Sequence, residues 1–105
     1  MARKSIDVCR DQLPIVDKIL IERESQHGDP KENLDRVAAY WSNHLSLNLT
    51  RQDVAIMLMQ LKMARLNTGN EPADSLRDLI GYAAIATGMA ALNEQKTNEE
   101  SPNGE

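Results

Sequence analysis

The chain has 105 residues with a formal net charge of −4, and 27% of them are charged while only 3% are aromatic; that length gives a single domain with one modest core. The acidic balance argues against a generic nucleic-acid binder, because affinity for a polyanion comes largely from Lys and Arg neutralising phosphates. No apolar run approaches the roughly 20 residues needed to span a bilayer and the N-terminus lacks a signal-peptide stretch, so the expectation is a soluble, cytoplasmic protein with no membrane attachment.

With no Phe, one Trp and two Tyr, the core must be built from Leu, Ile, Val, Ala and Met, which suits packed helices better than a sheet. The single cysteine, Cys9, cannot form an intramolecular disulfide and reads as an ordinary half-buried residue. The expected architecture is all-α: a polar arm or short helical lead-in over 1–13, a four-helix bundle-like domain over 14–92, and a disordered tail over 93–105, where no apolar residue occurs.

Pro14 fits the first turn of a helix, where its missing N–H costs nothing. Ile15, Val16, Ile19 and Leu20 then fall at helical spacing, and Glu22, Arg23 and Glu24 close a first helix over about 14–26 as a charged turn. Gly28 breaks that helix. Asp29 follows as an N-cap, Pro30 as the first helical residue and Glu32 as the reciprocal member of a capping box. His27 and Asp29 stand where a helix N-terminus offers free N–H groups to an anion, although a His in a turn also serves as a local hydrogen-bonding residue.

The second helix runs from Pro30 to about Leu45, with Leu34, Val37, Ala38, Trp41 and Leu45 on one face and Trp41 as a core residue. His44 suits the dipole at its C-terminus. Ser46 to Leu49 alternates like a short extended piece whose leucines close the end of the bundle. Thr50 to Asp53 is a second cap signature. The helix it opens, about 51–66, carries Val54, Met57, Leu58, Leu61 and Ala64 around a wide apolar arc, which implies burial on more than one side. Met57, Met59 and Met63 read as gap filling in a core without Phe. Lys62 and Arg65, one turn apart, can face acids of the last helix, hold a phosphate, or stay solvated.

Gly69 stops that helix and Pro72 restarts the chain. The last helix, from Ala73 or Asp74 to about Leu92, places Leu76, Leu79, Ile80, Ala83 and Ala90 on a core face. Gly81, Ala84 and Gly88 form a small-residue strip. Glycine inside a helix costs ~1 kcal/mol relative to Ala, so the strip suggests close approach of another backbone or a ligand. Asp74 and Asp78 stand one turn apart on one face. Two readings stay open: they hold a divalent cation such as Mg²⁺, or Asp74 caps the helix while Asp78 pairs with Arg77 or Lys62.

The set Glu22-Arg23-Glu24, His27-Gly28-Asp29 and Asn33, with Asp53-Val54-Ala55, Leu61-Lys62-Met63-Ala64-Arg65, Asp74-Ser75-Leu76-Arg77-Asp78 and Gly81-Tyr82-Ala83, resembles a family of small phage and prophage proteins of unassigned function over about residues 19–86. More distantly the layout is similar to the MazG-like all-α nucleotide pyrophosphatases. That resemblance implies an oligomer and a Mg²⁺ site in which Asp78 matches the terminal acid of the second acidic pair, Asp74 a displaced partner, and Lys62 the basic residue before the first pair. Where that family has consecutive Glu residues after the Lys, this chain has Met63, Ala64 and Arg65. Glu22, Glu24 or Asp29 would then have to supply the missing ligands.

Three functions follow as expectations. In the first, a Mg²⁺-dependent nucleotide pyrophosphohydrolase, Asp74, Asp78, Glu22 and Asp29 hold the metal while Lys62, Arg65, Tyr82, His27 and Asn33 hold the nucleotide. The second is a protein that sequesters a nucleotide without converting it. The third is a small helical inhibitor that binds a host protein.

Overall fold

The computed structural model describes residues 2–68 and 71–100. It is all-α, as the composition implies, with helices α1 (Ser5–Arg10), α2 (Gln12–His27), α3 (Pro30–Leu45), α4 (Arg51–Arg65) and α5 (Pro72–Glu100). The four main helices expected from periodicity are α2 to α5, and α1 is the helical lead-in.

The break between α1 and α2 at Asp11 has a local cause. Pro14 has no N–H for the carbonyl of Arg10 four residues back, and its ring crowds that carbonyl, so the helix cannot continue unbent. Gly28 ends α2 with φ +82°, a left-handed conformation that favours glycine, while its N–H still donates to the Glu24 carbonyl at 2.8 Å. The helix therefore runs straight through Glu22–Glu24 rather than turning there.

Asp29 caps α3, its carboxylate accepting from the Glu32 N–H at 3.3 Å, with Pro30 as the first helical residue. Thr50 and Asp53 make a complete capping box for α4: the Asp53 N–H donates to Thr50 Oγ1 at 3.2 Å and the Thr50 N–H donates to Asp53 Oδ2 at 2.9 Å. Between these helices the chain folds back onto α3. The Leu49 N–H donates to Ser42 Oγ at 2.9 Å, Leu49 is half-buried, and Leu47 points outward with 60% exposure, so only one of the two leucines closes that end. Arg51 ties the start of α4 to α3 by a bidentate pair with Asp35 at 2.7 and 2.8 Å.

The core sits where α3, α4 and α5 meet. Leu34, Ala38, Val54, Ala55, Ala86 and Met89 are buried together, with Val37, Trp41, Leu58, Met59 and Ile85 packed around them. Val16 of α2 is buried separately. Trp41 thus lies at the margin of the core rather than inside it. Helix α5 returns antiparallel to α4, with Lys62 beside Asp78 near one end and Val54 and Ala55 grouped with Ala86 and Met89 near the other.

Several residues assigned to the core by periodicity face outward. Leu45, Leu61, Leu76 and Ile80 are exposed, as are Ile56 and Met63, and α4 buries only Val54 and Ala55 completely. The wide apolar arc of α4 is therefore not covered on more than one side within a single chain. Cys9 is exposed as well. Helix α5 runs on to Glu100, beyond the expected end at Leu92, while the expected Gly69 stop and residues 101–105 of the expected tail lie outside the described residues. No helix among the described residues is long and apolar enough to cross a membrane.

Candidate functional site

A cavity of about 520 Å³ opens between the C-terminal half of α2, the first turn of α3 and the middle of α5, a size within the usual range for small-molecule sites. Leu20, Ile21, Leu34, Ile85 and Met89 supply its apolar walls, and Ala84 and Gly88 a flat strip of α5. Arg23, Glu24, His27, Asn33 and Tyr82 add the polar groups.

The helices explain why these side chains converge. Leu20, Arg23, Glu24 and His27 lie three or four residues apart on α2 and share the stripe that begins at the buried Val16. Gly28 and the Asp29 cap then turn the chain so that Pro30, Asn33 and Leu34 close one side. The α5 residues Tyr82, Ile85 and Met89 follow the same three- and four-residue spacing.

Arg23 is the hinge of the electrostatics. Its guanidinium carbon lies 4.3 Å from the centroid of the Tyr82 ring, a cation–π contact, and its Nη2 lies 3.3 Å from Asp78 Oδ1. Lys62 Nζ holds the other oxygen, Asp78 Oδ2, at 3.0 Å. Asp78 thus bridges α2, α4 and α5, with both carboxylate oxygens engaged by cations. The pairing of Asp78 with Lys62 was one of the two partnerships that spacing allowed; Arg23 was the partner that spacing did not disclose.

The other expected site residues divide plainly. His27, Asn33 and Tyr82 are brought together around the cavity. Lys62 and Asp78 do not line it; they reach it only through Arg23, which pairs with Asp78. Arg65 is exposed in the last turn of α4 and Glu22 is exposed on α2. Asp29 is occupied in capping α3. Asp74 is 64% exposed and its carboxylate accepts from Arg77 Nη1 at 3.2 Å, so it is an exposed pair near the start of α5 rather than its cap. Among the described residues no three His, Cys, Asp or Glu side chains stand close enough to hold a metal ion together. Asp74 also raises the pKa of Glu71 above the usual glutamate value, first through a side-chain hydrogen bond and then through its charge. This couple lies on the surface and not at the cavity.

Of the two expectations for the small-residue strip, close approach of another backbone is not met. A Cβ built at Gly81 or Gly88 meets nothing within 4 Å, so no backbone approaches there. Gly88 and Ala84 instead border the cavity. Sequence reasoning missed Arg23 and the apolar walls as site residues, and offered Glu24 only as a substitute metal ligand. The available signal was the run Val16, Leu20, Arg23, His27, in which polar residues continue an apolar helical stripe.

The chain is 32% identical over 76 residues to the Gene 55 protein of Mycobacterium phage L5, covering 71% of this chain and 49% of that protein. It is 34% identical over 62 residues to the Gene 55 protein of Mycobacterium phage D29, covering 59% and 41%. The chain thus spans about half the length or less of these curated relatives. No solved structure matches it. The matched family pattern covers residues 15–90, from the start of α2 past the last cavity residue of α5, and places the chain in the family described as Domain of unknown function (DUF6378), to which it belongs.

Proposed function

We propose that this phage-family protein binds a small planar ligand of the nucleotide class in the cavity between α2, α3 and α5, and holds it without converting it. The observation that carries this reading is the Arg23–Tyr82 stack at the edge of a cavity with apolar walls that also holds Glu24, His27 and Asn33. A heterocyclic base suits such a wall, because every base has a π-face and stacking on an aromatic side chain contributes about 1–3 kcal/mol. Arg23 and Lys62 share the single carboxylate of Asp78, which leaves net positive charge beside the cavity for an anionic group; His27 and Asn33 carry hydrogen-bonding atoms for ring edges or a sugar, and the Ala84–Gly88 strip leaves room for a flat molecule.

The alternative is Mg²⁺-dependent hydrolysis of the kind the MazG-like resemblance implies. It requires Asp78 to exchange two cationic side chains for a metal and to find further acids nearby. What supports binding over hydrolysis is that Asp78 is already neutralised by Arg23 and Lys62, while Asp74, Glu22 and Asp29 are engaged or exposed elsewhere.

The test is calorimetric titration with nucleoside mono-, di- and triphosphates and cyclic nucleotides, followed by heat denaturation and chromatography of the ligand. Binding by one class, intact recovery, and at least a tenfold loss of affinity in Tyr82→Ala support the reading, tenfold being 1.4 kcal/mol at 25 °C. Release of pyrophosphate and monophosphate refutes it in favour of hydrolysis. The absence of binding by every class refutes both.

A further inference from the structure

Glu24 is the one acid among the described residues that line the cavity, and the fold makes no use of its charge. Among the described residues its carboxylate has no hydrogen bond and no ion pair. The neighbouring acids are committed: Asp78 lies between Arg23 and Lys62, and Asp29 caps α3. Glu24 is exposed as well as cavity-lining, so it stands at the rim with both oxygens open to a ligand.

Its place on α2 separates it from the cations. Arg23 and Glu24 are consecutive, so their side chains leave the helix about 100° apart around its axis. Arg23 turns toward Asp78 and Tyr82 of α5. Glu24 instead follows Leu20 by four residues and precedes His27 by three, on the stripe that walls the cavity. An anionic group is drawn to the Arg23 side and repelled by Glu24, which is left for an uncharged part that donates hydrogen bonds.

We propose, resting on the nucleotide reading of the cavity, that Glu24 sets its specificity by accepting two adjacent donors of one ligand. A carboxylate only accepts, and its two oxygens suit a pair of donors set side by side. Guanine is the common base with such an edge, its N1–H standing next to the N2 amine. Adenine and cytosine set their amine beside a ring-nitrogen acceptor, and uracil sets its N–H between two carbonyls, so each turns a lone pair toward a carboxylate oxygen. The 2′,3′-diol of a ribose is the other donor pair that a nucleotide carries. The chemistry is the same for both sources, and base and sugar variants separate them.

The test is calorimetric titration of the full chain, Glu24→Gln and Tyr82→Ala with guanosine, inosine and adenosine 5′-monophosphates and 5′-triphosphates and their 2′-deoxy forms. Inosine keeps the N1–H and lacks the amine, and the deoxy forms lack one hydroxyl. Glu24 is exposed and pairs with no described residue, so circular dichroism should show unchanged helix content in Glu24→Gln. In the wild type a nucleotide with the donor pair intact should bind about 10- to 100-fold more tightly than its analogue lacking one donor, the range for a hydrogen bond to a charged group. A loss with inosine assigns the pair to guanine, and a loss with the deoxy form assigns it to the ribose. Glu24→Gln presents one acceptor and one donor and should remove the preference, while Tyr82→Ala should weaken every nucleotide alike. Equal binding of all forms, or a preference that survives Glu24→Gln, overturns the inference and leaves the nucleotide reading standing. No binding by any of these nucleotides overturns both.

Discussion

Replacing Asp78 by Ala separates a structural acid from a metal ligand. In the wild type its two oxygens meet Arg23 Nη2 at 3.3 Å and Lys62 Nζ at 3.0 Å, with side-chain exposures of 24% and 17% for the cations and 30% for the acid. Fully exposed pairs contribute about 0.2–1 kcal/mol, and breaking a buried pair costs about 3–5 kcal/mol. Groups shielded to this degree fall between, and two of them lose their partner at once, so the loss is about 2 kcal/mol. Ala is the better helix former by about 0.5 kcal/mol, which offsets part of it. The net destabilisation expected is about 1.5 kcal/mol, or a fall in Tm of about 6–12 °C for a domain of this size. Urea and thermal denaturation by circular dichroism measure it, and a double-mutant cycle with Lys62→Met isolates the Lys62–Asp78 term. Stability unchanged within 0.5 kcal/mol would refute the bridge. Loss of Mg²⁺-dependent nucleotide turnover at unchanged stability would further identify Asp78 as a metal ligand.

Other expectations test the strip, the cap and the surface couple. Gly88→Ala should raise stability by about 0.5–1 kcal/mol in urea denaturation, since the new Cβ meets nothing within 4 Å and the helix gains propensity. Gly88→Leu should keep the fold yet abolish the proposed ligand binding in calorimetry, because its side chain enters the cavity that Gly88 borders. Thr50→Ala should cost about 1 kcal/mol by breaking the α4 capping box. Glu71 should titrate above the usual glutamate value by NMR and return toward it in Asp74→Asn. Its folded pKa is raised, so the favourable contribution of its protonated form is present below the ordinary glutamate pKa and is lost as pH rises through the raised value.

Local signals read correctly wherever the cause was local. Asp29 with Pro30 and Thr50 with Asp53 open helices because they satisfy N–H groups within three residues. Gly28 ends α2 because its own φ is positive. Pro14 stands in the first turn of α2, which opens at Gln12 after the separate α1 has ended at Arg10. The site was legible in part. His27, Asn33 and Tyr82 were named from the sequence, while Arg23 was taken for a charged turn although it continues the Val16–Leu20 stripe.

The sequence by itself determined an all-α chain, its main helices and most of their starts, because these depend on composition, spacing and caps a few residues long. Tertiary structure decided which apolar faces are covered, that Asp78 lies between Arg23 and Lys62 from two other helices, and that Ala84 and Gly88 border a cavity rather than a helix contact. Those outcomes depend on helix rotation and crossing, which are set by how side chains from distant segments pack, and helical periodicity supplies the same stripe whichever way the helix is turned.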